Sequence, residues 1–209
     1  MFTHIPIILP EIKTAHYDNK HFYEINGDKF PSITTILHSF ENKGIEIWKA
    51  RTPNWKDITD ESMKIGTWLH KIIEKYLKNE KLMDDDSLYL FDNLKPELDK
   101  INQIQAQETR LYHKDLKIAG QVDCIAEYDG EKCIIDFKNS RKPKREQWIN
   151  DYKVQVTAYS KMFEYCTNQK IDLGIILIAN WDGSTSVFKV DIPKYEDKLL
   201  DVLEAYADL

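Results

Sequence analysis

Cysteine is scarce in this chain. There are three, at positions 124, 133 and 166, an odd number without metal-ligand spacing. That argues against a disulfide framework or a zinc site, and a four-cysteine iron–sulfur cluster cannot be built within one chain. Long apolar runs are also missing. None approaches the ~20 residues that a membrane-spanning helix needs, so no membrane partner is expected. Residues 1–9 lack a basic stretch and contain Pro6, so no signal peptide is expected. Glu11 and Asp18 argue against an acid-poor transit segment. Positive charge is in short supply: 29 Lys and Arg face 35 Asp and Glu, for a net charge of −6. Such a balance does not advertise nucleic-acid binding. No repeat or low-complexity tract is visible. These absences point to a cytoplasmic protein of a bacterium or a phage-infected cell, and the abundance of Lys, Ile and Asn suggests an AT-rich genome.

Core-forming material is plentiful, with 42% hydrophobic residues including 11 Tyr, 8 Phe and 5 Trp. At 209 residues one domain is expected: an N-terminal hairpin and helix region over 1–58, a core over 59–191 and a closing helix over 192–209. Asn26-Gly27 marks a two-residue hairpin turn within an alternating stretch, 15–30. Ser32 is placed to cap a short helix through Leu37. Residues 40–58 read as irregular or helical. Apolar residues at helical spacing predict a helix over 60–77. A polar loop over 79–87 and a helix over 88–104, interrupted near Pro96, follow. The period then changes to that of strands over 108–113, 116–128 and 131–138. A long helix over 146–167 comes next, then a hairpin of 173–180 and 185–191. Pro193 opens the last helix, with Leu199, Val202, Leu203 and Tyr206 inward. The order implies an α/β fold, a mixed sheet flanked by helices.

Asp129-Gly130 is the strongest hairpin signal. A two-residue loop there pairs Tyr128 with Glu131 and, by the same register, Asp123 with Asp136. Their Cβ atoms would stand ~4.5–5.5 Å apart. Lys138, two residues on, projects from the same face, while Val122, Cys124, Ala126, Cys133, Ile135 and Phe137 form an apolar opposite face. Like charges directly opposed on a ribbon are destabilising. A divalent cation removes the conflict: Mg²⁺ takes one or two carboxylates, keeps water and accepts phosphate oxygens. The plain alternative is a solvated Asp–Lys cluster. Asp-x-Lys also occurs at Asp18/Lys20, Asp115/Lys117 and Asp151/Lys153, but only Asp136/Lys138 lies in an apolar strand with a carboxylate opposite. Just beyond, Arg141, Lys142, Lys144 and Arg145 extend a local basic stretch, which reads either as a phosphate contact or as a solvated loop.

In order along the chain stand Gly66-Thr67-Trp68-Leu69-His70 with Glu74 one turn on, Ala119-Gly120-Gln121-Val122-Asp123, Ile134-Ile135-Asp136-Phe137-Lys138-Asn139-Ser140, and Gln155-Val156-Thr157-Ala158-Tyr159. This set resembles the PD-(D/E)XK nuclease superfamily, in its RecB-like branch. The segment 116–159, with Lys142-Pro143-Lys144, is similar to the mitochondrial genome maintenance exonucleases and their phage relatives, and Pro31-Ser32-Ile33-Thr34 is similar to their N-terminal region. Val122 stands where the superfamily's name has proline.

The resemblance implies a restriction-endonuclease-like core and a deoxyribonuclease dependent on Mg²⁺ or Mn²⁺, without an iron–sulfur cluster. It implies metal ligation by His70, Asp123, Asp136 and the Phe137 carbonyl, catalysis by Lys138, and completion of the site by Gln155 and Tyr159. It further implies DNA contacts from Ser140, Arg141, Lys142, Lys144, Arg145, Ser32 and Thr34. The implied activity is exonucleolytic, on single-stranded DNA ends. No required protein partner is evident, and DNA repair, recombination, phage genome processing and defence stay open as pathways. Glu74 and Glu108 stay open between a place beside the site and simple solvation. Phe22, Tyr23, Trp48, Trp55 and Trp68 are candidates for stacking on bases, with burial in the core as their alternative. Two other functions are kept: a structure-specific endonuclease of the same superfamily, and a non-catalytic protein that binds single-stranded DNA.

Overall fold

The computed structural model describes residues 1–17, 20–40, 43–82 and 89–209. Five strands form the main sheet: β4 (Ile101–His113), β5 (Ile118–Tyr128), β6 (Glu131–Ser140), β7 (Leu173–Asn180) and β8 (Thr185–Asp191), in that spatial order. β6 and β7 are parallel and all other neighbours antiparallel. The parallel pair requires a crossover, which is α5 (Asn150–Thr167). It packs on one face of the sheet with α1 (Ile33–His38) and α6 (Glu196–Ala207), around Ile134, Ile176, Ile178, Met162 and Phe163. α3 (Trp55–Leu77) and α4 (Tyr89–Leu98) cover the other face, around Leu69, Ile73, Leu94, Ile135 and Leu177. With both faces covered, the β6 and β7 interiors are nearly continuous apolar runs. The fold is thus α/β, a mixed sheet flanked by helices, compatible with a restriction-endonuclease-like core.

A smaller antiparallel sheet precedes it: β1 (Lys13–Tyr17), β2 (Lys20–Ile25) and β3 (Asp28–Pro31). Asn26 and Gly27 both take positive φ, 54° and 89°, as a primed hairpin turn requires. Tyr23, Phe30 and Ala119 share a small core, which seats this sheet on β5. Ser32 caps α1, its Oγ accepting from Thr35 N–H at 2.9 Å. Ser32→Ala is expected to lower stability by about 1 kcal/mol. Thermal unfolding would register this as a fall in Tm of about 2–4 °C for a chain of this size.

Three expectations need correction. The first is the helix over 88–104. Position 88, like positions 83–87 of the polar loop, lies outside the described residues; α4 ends at Leu98, and Ile101 already belongs to β4. Ile101 and Ile104 are both buried, three residues apart, because the register slips between Asn102 and Ala106 and Gln103 takes φ 48°. A β-bulge of this kind imitates a helical spacing. The second is the start of the helix at 60. α3 begins at Trp55, so the boundary at 58/59 falls inside a helix. The third is the single apolar ribbon face. Val122 packs in the α5-side core and Cys124 in the α3-side core, so β5 does not keep simple alternation across Asp123.

Candidate active site

The β5–β6 ladder follows the register set by Asp129-Gly130, from Tyr128↔Glu131 to Cys124↔Ile135. It stops one position short of Asp123 and Asp136. Beyond that point β6 stays paired with β7, through Ser140↔Asn180. Phe137 thereby loses a strand partner on the β5 side, and buried backbone groups must find others. Its N–H donates to Asp123 Oδ2 at 2.7 Å. Its carbonyl is 2.8 Å from His70 Nε2, and since a carbonyl only accepts, Nε2 carries the proton. That leaves Nδ1 as the ring's free lone pair in neutral histidine. It points to Glu108 Oε1 at 3.5 Å and Asp123 Oδ1 at 3.8 Å.

His70, Glu108 and Asp123 each present one ligand atom, and these atoms lie within 4.8 Å of one another. Gln121 Nε2 donates to the other oxygen of Glu108 at 2.7 Å. Glu108 reaches this position through a left-handed backbone, φ 46°, a conformation that bulky residues rarely adopt. Asp136 is fully buried beside them. Lys138 Nζ contacts both of its oxygens, at 2.7 and 2.6 Å. The shorter contact lacks hydrogen-bond geometry, so Oδ2 is buried with an ion pair but no hydrogen bond. Burial, and then the Asp136 charge, push the Asp123 carboxyl up. Burial works against the His70 cation, but Asp123 and Glu108 outweigh it and lift its pKa to about 9. Burial likewise opposes the Lys138 charge, and Asp136 followed by Asp123 override it and raise its pKa. Surplus carboxylates, one histidine and an incompletely bonded buried oxygen form a hard donor set that fits a divalent cation.

The expected ligands His70 and Asp123 therefore meet, with Glu108 as the third member. Asp136 is adjacent but turned onto Lys138, and the Phe137 carbonyl is taken by His70. Sequence reasoning left Glu108 open because its cross-strand neighbour was not assigned. Gln107↔Cys124 and Thr109↔Val122 place it opposite Asp123, and that register follows only from the turn after His113. Gln155 Nε2 donates to Tyr159 Oη at 2.9 Å, both side chains buried. Tyr159 closes on Gly120, where a Cβ would stand 2.7 Å from its ring. Burial, Asp123 and Asp136 raise the Tyr159 pKa well above its usual value, which keeps it neutral. A cavity of about 450 Å³ opens beside the cluster, lined among others by Gly66, His70, Glu74 and Glu108. Glu74 pairs with Lys78 at 2.5 Å.

The residues expected to touch DNA divide. Arg141, Lys142 and Arg145 are exposed and Lys144 half-buried in the loop after β6. Ser140 Oγ donates to the Lys142 carbonyl at 2.8 Å and shapes that loop. Ser32 is only 2% exposed and its hydroxyl is committed to the α1 cap, so the direct DNA contact expected of it is withdrawn. Thr34 is half-buried against it, at 2.9 Å. Of the aromatic candidates, Tyr23 is core and Trp68 packs against the α3-side core. Trp48 is 40% exposed.

No family model matches the chain. Mitochondrial genome maintenance exonuclease 1 of Homo sapiens is 31% identical over 172 residues, 74% of this chain and 50% of that protein. The chain is a homologue of the mitochondrial genome maintenance exonucleases. The Mus musculus exonuclease is 28% identical, over 77% of this chain and 52% of its own length. The Xenopus tropicalis exonuclease is 28% identical over 74% and 49% respectively. These matches are consistent with a PD-(D/E)XK exonuclease relative. The chain spans about half the length of the curated relatives it matches. Those relatives are named as mitochondrial proteins. One solved structure, the crystal structure of SSO0001, aligns with TM-score 0.45 and 16% identity, over 84% of this chain and 83% of that one. Among the described residues no helix is long and apolar enough to cross a membrane, and the three cysteines are free.

Proposed function

We propose that this chain is a metal-dependent deoxyribonuclease that hydrolyses phosphodiester bonds at the ends of single-stranded DNA. One observation carries the reading. Where β5 leaves β6, His70, Glu108 and Asp123 converge within ligand distance of one another, beside the buried Asp136–Lys138 pair. Exonuclease-named homologues that match three-quarters of the chain support it.

His70, Glu108 and Asp123 would hold a Mg²⁺ or Mn²⁺ ion, with Asp136 and the Phe137 carbonyl next to it. A bound divalent ion lowers the pKa of water and offsets phosphate charge. The protein supplies the rest. Lys138 is kept charged by Asp136 and rests over the Tyr152 ring at 5.3 Å. It is partly exposed, so it can meet the negative charge that develops on the phosphate. Gln155 and Tyr159 are tied to each other by a hydrogen bond, with Tyr159 within electrostatic reach of Asp123 and Asp136. Arg141, Lys142, Lys144 and Arg145 take the phosphate backbone as it leaves the site, a contact that weakens with salt.

Digestion of end-labelled single-stranded DNA, linear and circular, tests the reading. With Mg²⁺ or Mn²⁺, linear strands should be lost while circles survive, and chelator should stop the reaction. Cut circles would make the protein an endonuclease. Mobility shift without cleavage in either metal would make it a binding protein.

A further inference from the structure

A second cleft, of about 430 Å³, lies between α2 (Lys43–Arg51) and the start of α5, apart from the carboxylate cluster. Trp48 of α2 and Trp148 of the short turn before α5 line it, with Gln147 and Asp151. Trp48 is 40% exposed and Trp148 57% exposed, large for a residue that ordinarily buries most of its surface. Cations attend the aromatic rings around it. The Arg145 guanidinium lies 5.2 Å from the Trp148 ring. Lys144 Nζ sits 5.9 Å from the Tyr152 ring, whose other visitor is Lys138 at 5.3 Å. Trp148 ends the short turn before α5, and Tyr152 lies in the first turn of that helix. Cation–aromatic pairs thus attend both the lysine of the site and the cleft, linked along the chain by the consecutive residues Lys144 and Arg145.

We propose that this cleft is a nucleobase subsite for the same single strand, in which Trp48 and Trp148 stack on a base and Arg145 meets the adjoining phosphate. The proposal rests on the nuclease reading above and adds where the strand is held. A base presents a flat π-face whatever its identity, so stacking on indole tolerates any sequence. Arginine over an aromatic ring adds an electrostatic share and remains able to bond phosphate. The cleft has the size of a small-ligand pocket. Asp151 on its rim would repel phosphates, which assigns the backbone to the Arg145 side.

The test is binding of a fluorescein-labelled single-stranded oligothymidylate in chelator, read by anisotropy and by quenching of tryptophan emission, with steady-state kinetics in metal alongside. Trp148→Ala should raise Kd by roughly 5- to 150-fold. It should raise KM in step and leave kcat at saturating DNA unchanged. Trp148→Phe should restore most of the affinity, and Trp48→Ala should follow Trp148→Ala. Arg145→Ala should lower the slope of log Kd against log salt by about 0.7, one phosphate's worth on a single strand. Wild-type Kd and KM in both tryptophan variants would overturn the subsite while leaving the nuclease reading intact. Quenched, Trp148-dependent binding with no cleavage in any metal would uphold the subsite and sink the nuclease. Failure of the wild type to bind the oligonucleotide would overturn the subsite outright.

Discussion

Lys138→Ala is expected to cut the rate of DNA cleavage by roughly 10²–10³-fold, the loss found when a preorganised donor to a developing oxyanion is removed. Affinity for single-stranded DNA should change little, because the basic loop and the exposed tryptophans remain. The same substitution removes the only cation, among the described residues, that is paired with Asp136, which is fully buried. Breaking a buried ion pair from one side costs about 3–5 kcal/mol, so the metal-free variant should melt at a clearly lower temperature. Assays must therefore run below that melting point, with folding checked by circular dichroism. Lys138→Arg should recover stability better than rate. The guanidinium is always charged but planar and larger, and it cannot reproduce a point charge seated on both Asp136 oxygens. Full activity in Lys138→Ala would remove this residue from the mechanism.

Adding Mg²⁺ or Mn²⁺ to chelator-stripped protein should raise Tm. At a hundredfold excess over Kd the gain is about 2.7 kcal/mol. For a chain of this size that is about 5–11 °C. Asp123→Asn should abolish the shift. It should also leave the stripped variant more stable than the stripped wild type, because Asp123 is 9% exposed and faces the Asp136 charge. A neutral amide keeps the shape and ends that repulsion. Glu108→Gln should weaken the shift, since Glu108 Oε1 lies 3.5 Å from His70 Nδ1. A wild-type melting curve indifferent to both metals would mean that His70, Glu108 and Asp123 hold no cation.

Turn chemistry was the most legible layer. Asn26-Gly27 and Asp129-Gly130 both adopt the positive φ values that their side chains, or lack of one, make cheap. β7 and β8 begin and end where the hairpin across Trp181-Asp182-Gly183-Ser184 puts them. The first residues of β4 look helical in sequence because the bulge at Gln103 sets two buried isoleucines three residues apart. Trp148 was missed as a functional candidate. Nothing local separates an exposed tryptophan from a core one, and exposure depends on what packs above it.

By itself the sequence determined the local structure: which residues turn, which strands read as apolar, and the register that carries Tyr128↔Glu131 up to Cys124↔Ile135. It also placed the chemically competent residue types, His70, Asp123, Asp136 and Lys138, in ordered blocks. Only the tertiary structure decided that the ladder stops before the aspartates. That break depends on the Asp123 carboxylate taking the Phe137 N–H and on α3 delivering His70, 67 positions away, to the Phe137 carbonyl. A strand surrenders backbone hydrogen bonds only when other groups replace them, and the distant one here comes from helix packing, which no local pattern encodes.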